Sequence, residues 1–535
     1  MQQVELVGVP SVPRGEEVLT VEALEFVAAL HRMANGRRLE LLQERRLRTA
    51  EILAGKDPQR PASTAHLRDD PRWRVAPPAP GWADRRVEIV GPAEPKTAIN
   101  ALNSGAQVWL ADLEDSLSPT WHNLITGQLT LRDAVRGSCE LDTPERHYRV
   151  SAELTPTIVV RPRGLHLDET HLLVDGEPVS AALFDFGLHL FHNATELIAR
   201  GRGPYFYLAK LESHLEARWW NAVFGAAQDL LSLPHGTIRA AVLIETMTAA
   251  LEMEEILYEL REHAAGLSAG RWDHVFSLVK SFRSRGNGFL LPDRDQITMA
   301  APFLRRYAAE LVRACHRRGA YAVGGPAAFW PDRDDPRANR RALDRVRIEH
   351  TREAKEGFDG SWVAHPDLVG VCAAVFDEAL GGRTDQLHRR RTERPAPAAE
   401  LIDLRIPDTE LTERGLRTNI TVVIRYLDAW LRGEGAVAIG CLMEDAATAE
   451  ICRSQLWHWL HLRARTAEGQ RVTAEWLQQL IDDEFARIPR TEGDRVAEAY
   501  SLLREVTFAE EYAEFLTVAA LPQLLHRERD ALTPA

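Results

Sequence analysis

Between Val87 and His365 the chain alternates short, wholly apolar runs with longer stretches whose apolar residues recur every three or four positions. Eight runs stand out: VEIV (87–90), VWLADL (108–113), TIVVR (157–161), YFYLAK (205–210), AVLIE (241–245), AGLSA (265–269), AYAVG (320–324) and WVAH (362–365). Unbroken apolar runs of this length predict strands buried on both faces, and the periodic stretches between them predict helices. Met253, Ile256, Leu257 and Leu260 keep helical spacing, with Thr246 or Thr248 as the cap. Leu183, Phe184, Gly187, Leu188 and Phe191 likewise make Leu183 to Ala199 a helix. Eight strands joined by helices over roughly 290 residues predict an α/β fold, a (β/α)8 TIM barrel. A doubly wound open sheet is the alternative, weakened by the lack of a GxGxxG turn after the first strand.

The flanks carry a different pattern. Residues 1–85 read as an N-terminal helical segment, with Val21, Leu24, Val27 and Leu30 on one face, closed by the Pro-rich stretch Ala76 to Gly81. The barrel then spans 86–380. GGRTDQLHRRRTERPAPAAE is a polar, Pro-rich linker over 381–400, and 401–535 forms a C-terminal all-helical domain. A chain of 535 residues suits two or three such units.

Composition narrows the partners. With 45% hydrophobic and 27% charged residues the chain reads as a soluble globular protein. Its net charge of −13 argues against nucleic acid as the main partner, although a locally positive site could still take an anionic small molecule. Five cysteines without paired metal spacing suggest a reducing compartment and no zinc site. The N-terminus lacks signal-peptide blocks, no apolar run reaches 18 residues, and ALTPA is no peroxisomal tripeptide. These point to a cytoplasmic protein without membrane contact.

In a barrel, chemistry collects where strands end and helices begin. Those ends carry Leu113-Glu114-Asp115-Ser116, Arg161 to Gly164, Lys210-Leu211-Glu212, Glu245, Gly270-Arg271-Trp272-Asp273, Gly324-Gly325 and His365-Pro366. Glu245 and Asp273 end neighbouring strands, and two carboxylates beside a glycine-flanked backbone suit a hard divalent cation such as Mg2+. The bland alternative is two solvated strand-end acids. The pairing depends on register: if HVFSLVK (274–280) were the sixth strand, Asp273 would fall at the wrong end of the barrel. Farther on, Glu444 and Asp445 precede the helical run AATAEI, where a capping acid is the plain reading.

Several long segments resemble malate synthase of the shorter isoform A type: ALNSGAQVWLADLEDSLSPTW, RPRGLHLDE, PYFYLAKLESHLEARWW, IETMTAALEMEEILYELREHAAGLSAGRWDHVFS, DGSWVAHPDLV and LMEDAATAEICRSQLWHWL. They run in order from about Arg85 to Trp459. The resemblance implies a Mg2+-dependent Claisen condensation of acetyl-CoA with glyoxylate, followed by thioester hydrolysis to malate and CoA. It implies Glu245 and Asp273 as metal ligands, Arg163 as the catalytic arginine and Asp445 as the catalytic aspartate. Arg161 is the rival arginine, and backbone around Gly270, Arg271 and Trp272 is the expected cradle for the glyoxylate carboxylate. Departures lie in GGPAAFWPD, where Pro326 and Trp330 stand in place of the family's Met and Gln-Ile, and in VAIGC, where Cys441 is unusual. A citryl- or malyl-CoA-cleaving lyase would share the barrel and the acid pair but not the domain bearing Asp445. A non-catalytic barrel would be expected to have lost at least one of the four key residues.

Overall fold

The computed structural model describes residues 3–144, 146–151, 155–331, 335–391 and 394–532. Eight parallel strands close a barrel: β1 (Val87–Pro92), β2 (Val108–Asp112), β3 (Thr157–Arg161), β4 (Tyr205–Leu208), β5 (Arg239–Ile244), β6 (Ala264–Ala269), β7 (Tyr321–Ala327) and β8 (Gly360–Val363). Each apolar run of the sequence falls on one of them. β8 pairs with β1 through Ser361–Val87 and Trp362–Glu88, so the sheet has no edge and the open doubly wound alternative is excluded. β3, β5 and β6 are buried at every position, because helices cover the outside and side chains fill the inside.

The barrel interior is not wholly apolar. Glu88 is fully buried and accepts from Arg85 Nε (2.7 Å), Tyr207 Oη (2.5 Å) and Trp362 Nε1 (2.9 Å). Three donors and one matching cation make burial of that carboxylate tolerable. The layer fixes Trp362, whose ring lies just below the rim.

HVFSLVK is helical. It belongs to α2 (Arg271–Phe282), which leaves Asp273 in the helix's first turn at the C-terminal rim. Thr246, rather than Thr248, caps the turn after β5, accepting from Ala249 N–H at 3.2 Å.

Before the barrel lies α1 (Val21–Leu53), capped by Thr20. It is preceded by a strand, Val4–Leu6, which adds to the antiparallel hairpin Asp168–Val174 and Glu177–Ser180. Three residues are too few for alternation to show in sequence. After the barrel helix α3 (Pro336–Glu356) and β8, the chain passes through 381–400, with residues 392 and 393 outside the described residues. Then come α4 (Glu413–Leu431), α5 (Ala446–His461), two helices over Ala474–Arg487 and Val496–Phe508, and α6 (Leu516–Leu532). Leu416, Ile420, Leu427, Trp459, Leu480 and Leu503 form a separate core there.

A short antiparallel hairpin, Val437–Ile439 with Leu442–Glu444, joins α4 to α5 and reaches back to the barrel. Trp330 N–H donates to Cys441 O (2.9 Å) and Met443 N–H to Ala328 O (2.8 Å), so the loop after β7 pairs with the hairpin backbone. Gly435 makes the close approach possible: a Cβ there would lie 2.4 Å from the Leu117 backbone. Among the described residues no helix is long and apolar enough to cross a membrane, and the five cysteines are unpaired.

Candidate active site

β2 ends at Asp112 and β3 at Arg161, and these two are register partners. Their side chains therefore project side by side from the rim. Arg161 donates to Asp112 through Nε (2.6 Å) and Nη2 (2.5 Å), and its Nη1 lies 3.0 Å from Asp115. Pro162 then turns the chain out of the strand, so Arg163 does not continue its alternation. Arg163 is held behind the rim by Asp185 (2.9 and 2.8 Å) and Glu169 (2.8 Å). Of the two arginines, Arg161 lines the cavity of Glu245, Asp273 and Asp445, whereas Arg163, the arginine expected from the sequence, lines a smaller one with Glu114, Asp115 and Lys210.

Glu245 follows β5 and Asp273 sits at the start of α2. Together with Asp115 they bring three carboxylate oxygens within 4.8 Å of one another. Lys210, in a left-handed turn at φ 53°, reaches into this group. Its N–H donates to Glu245 (2.5 Å) and its Nζ to Glu114 and Asp115 (2.7 Å each), with Asp273 at 3.5 Å. Burial raises the Glu114, Glu245 and Asp273 carboxyls, and the neighbouring negative charges add to this. Asp115 is the exception, because Lys210 and Arg161 together outweigh burial and hold it below the usual carboxylate range. One oxygen of Asp273 is buried without a hydrogen-bond partner among the described residues. The cluster has more oxygen donors than cations to match them, and Asp115 is already taken by Lys210 and Arg161. Glu245 and Asp273 therefore fit a hard divalent ion.

The backbone beside them is shaped for close packing. A Cβ on Gly270 would lie 2.6 Å from the Glu245 Cβ. Tyr307 ties the two strand ends, its hydroxyl donating to Ile244 O and accepting from Gly270 N–H (3.1 Å). The Gly270 N–H is thus occupied. The amides of Arg271 to Asp273, in the first turn of α2, have no acceptor within the helix.

Asp445 reaches the rim from the other domain. It is the N-cap of α5 in a reciprocal capping box with Thr448. Ala446 N–H donates to the Asp115 backbone carbonyl at 3.2 Å, which sets the helix start against the loop after β2. Burial, reinforced by the charge on Asp115, pushes the Asp445 carboxyl up to about 7. Glu444 is locked in a two-point pair with Arg294 (2.8 and 2.5 Å) and faces away from this role.

Arg161, Glu245, Gly270, Arg271, Trp272, Asp273 and Asp445 line one cavity of about 590 Å3, with Trp362 in its wall. Pro326 and Trp330 also line it, whereas Cys441 is exposed on a neighbouring groove. Sequence reasoning named Lys210 only as a rim residue and gave it no part. Its turn conformation and its bridging of four acids are products of the closed ring. The Asp112–Arg161 pair was open to inference, since both residues end adjacent strands.

Comparison with known proteins gives a consistent result. Family models described as malate synthase N-terminal domain, TIM barrel domain and C-terminal match residues 4–66, 157–404 and 410–524. The chain is 54% identical to malate synthase of Streptomyces clavuligerus over 97% of its own length and 98% of that protein. It is 47% identical to the Myxococcus xanthus malate synthase, covering 96% of this chain and 95% of the relative. Against malate synthase A of Escherichia coli the identity is 42%, covering 95% and 96%.

Proposed function

The chain belongs to the malate synthase family, and from that premise we propose how the cavity at the barrel rim performs the family's reaction. The reaction condenses the acetyl group of acetyl-CoA with glyoxylate and hydrolyses the thioester, giving malate and CoA. Glu245 and Asp273 would hold a magnesium ion, a reading supported by the clustering of their buried carboxylates with Asp115 and by the Asp273 oxygen that lacks a hydrogen-bond partner. Bound there, such an ion would supply Lewis acidity toward the glyoxylate carbonyl. The free first-turn amides from Arg271 to Asp273 orient the glyoxylate carboxylate, as helix N-termini do for anions.

Asp445 takes a proton from the acetyl methyl. A carboxyl raised to about 7 is a stronger base than an ordinary carboxylate and is still about half ionised at neutral pH. Arg161 faces the enolate oxygen that forms. Its fork is oriented by Asp112 and Asp115, so one face of the guanidinium is fixed before substrate arrives. We assign the catalytic arginine to Arg161 in place of Arg163 because Arg161 lines the cavity that holds Glu245, Asp273 and Asp445, and Arg163 does not. The uncharged pantetheine arm suits the part of the cavity over β1 and β8, where Ile89, Val90, Pro92, Thr97 and Pro366 line it.

One observation carries this reading: a metal-fitting acid pair, an oriented arginine and a raised carboxyl, drawn from two domains, share one cavity. The test is CoA release from acetyl-CoA with and without glyoxylate, in the presence of Mg2+. Release should require both. Equal release without glyoxylate would mark a simple thioesterase and reject the proposal.

A further inference from the structure

A second space meets the active cavity at one corner. It is a groove of about 1620 Å3 between α3 and α4, sharing Arg271, Trp272, Glu349 and Arg352 with the reacting cavity. The two leave the barrel on different sides. The arm suited to pantetheine lies over the loops after β1 and β8, whereas the groove lies over those after β6 and β7.

Arginine dominates the groove. Arg341, Arg345 and Arg352 recur at i, i+4 and i+11 of α3, which puts them on one face over about 16 Å of helix. Arg425 of α4 lines the groove with them. Of the acids lining it, Glu444 pairs with Arg294 (2.5 Å), Glu484 with Arg417 (2.8 Å) and Arg487 (2.6 Å), and Asp295 with Arg414 (2.9 Å), while Glu349 stands between Arg345 and Arg352 on α3. Among the described residues no carboxylate pairs with Arg341, Arg345 or Arg425, and the buried Arg352 Nε has no hydrogen-bond partner. Arg271 lies over the Trp272 ring (4.4 Å), its nearest carboxylate ion pair is Glu349 at 4.0 Å, and burial lowers its pKa.

Like charges four residues apart on a helix repel, as Arg341 and Arg345 do, and the buried, unbonded Nε of Arg352 is costly where solvent is restricted. A row of planar, permanently charged forks matches phosphate oxygens, and its length matches several phosphates rather than one. We propose that this groove binds a multiply phosphorylated anion other than the substrates, at a site adjoining the active cavity through Arg271 and Arg352.

The probe is inorganic tripolyphosphate, titrated calorimetrically into the full-length enzyme with Mg2+ in excess. The wild type should bind it, and Arg341→Gln/Arg345→Gln/Arg425→Gln should weaken binding at least tenfold. That variant changes exposed arginines outside the reacting cavity, so its melting temperature and its KM for acetyl-CoA should match the wild type. Arg425→Gln alone should show a smaller loss and guards against a folding defect in the triple variant. Equal affinity in wild type and triple variant, or no binding to the wild type, would overturn the proposal. Displacement of tripolyphosphate by saturating CoA would overturn it too, because the groove would then belong to the substrate's nucleotide end.

Discussion

Arg161 Nη1 lies 3.0 Å from the carboxylate of Asp115, and Asp115 in turn raises the carboxyl of Asp445 across the domain boundary. One acid thus orients the arginine from the barrel and tunes the aspartate from the helical domain. The Ala446 N–H bond to the Asp115 carbonyl holds that spacing through backbone atoms. Assembly of the site depends on this contact between domains, since neither domain alone carries both groups.

The two neighbouring arginines should separate cleanly in mutants. Arg161→Lys replaces an oriented fork by a point charge and should lower kcat by roughly 10². Arg163→Lys breaks a buried three-point arrangement with Asp185 and Glu169 and should cost about 2–3 kcal/mol of stability, while kcat of the folded enzyme stays near wild type. Steady-state kinetics combined with denaturant unfolding distinguishes them. If the kinetic loss falls on Arg163→Lys instead, the arginine assignment is wrong.

The raised carboxyl of Asp445 gives a pH signature. A base must be ionised to act, so kcat/KM should climb with pH and level off above about 7. Asp445→Asn should lose about 10²–10⁴-fold in condensation and in exchange of acetyl-CoA methyl protons with deuterium. Exchange at the wild-type rate in the Asn variant would remove Asp445 as the base.

Much of this was legible because parallel strands buried on both faces leave long apolar runs, and all eight barrel strands declared themselves that way. The acids of the rim followed from strand ends. The placement of the two arginines did not, because Arg161 and Arg163 have the same parity, and only the turn imposed by Pro162 puts them in different cavities. The hairpin from Val437 to Glu444 was missed: its strands are three residues long and half-exposed, too short for alternation to register. Lys210 was invisible in its role, since its partners Glu114, Asp115, Glu245 and Asp273 come from three separate strand ends.

Metal binding should depend on Asp273. Mg2+ is expected to raise the melting temperature of the wild type, because a ligand that binds only the folded state stabilises it. Asp273→Asn removes one of two charges holding the ion and should abolish that shift while the metal-free protein melts at or above the wild-type temperature. The gain would come from relieving repulsion among Asp115, Glu245 and Asp273. An undiminished Mg2+ shift in the variant would place the ion elsewhere.

Gly270 offers a subtler test of the same pair. Its φ of −110° is open to any residue, so only crowding opposes a side chain there. A methyl group at 2.6 Å from Glu245 Cβ must push that carboxylate away from Asp273. Gly270→Ala should therefore weaken Mg2+ by about tenfold or more, through disturbed ligand placement, with a far smaller effect on folding. Isothermal titration of Mg2+ reads this directly, and unchanged affinity would show that the loop can yield.

The C-terminal helix should release its grip in alkali. His171 lies between Glu169 (2.6 Å) and Glu528 of α6 (3.4 Å), while Glu528 also accepts from the Trp121 N–H at 2.7 Å. Burial alone would lower the histidine's pKa, but hydrogen bonds to the two carboxylates outweigh it and push the value from 6.5 up to about 9. A folded-state pKa above the unfolded one means stabilisation that is complete below pH 6.5 and lost as the pH rises through 9. The amount is about 1–3 kcal/mol. His171→Gln keeps a donor without the titrating charge, so its stability should change less than that of the wild type over this window. Urea unfolding at pH 6, 7.5 and 9 measures the difference between the two proteins. Parallel curves for wild type and variant would show that His171 does not carry its charge in the folded state.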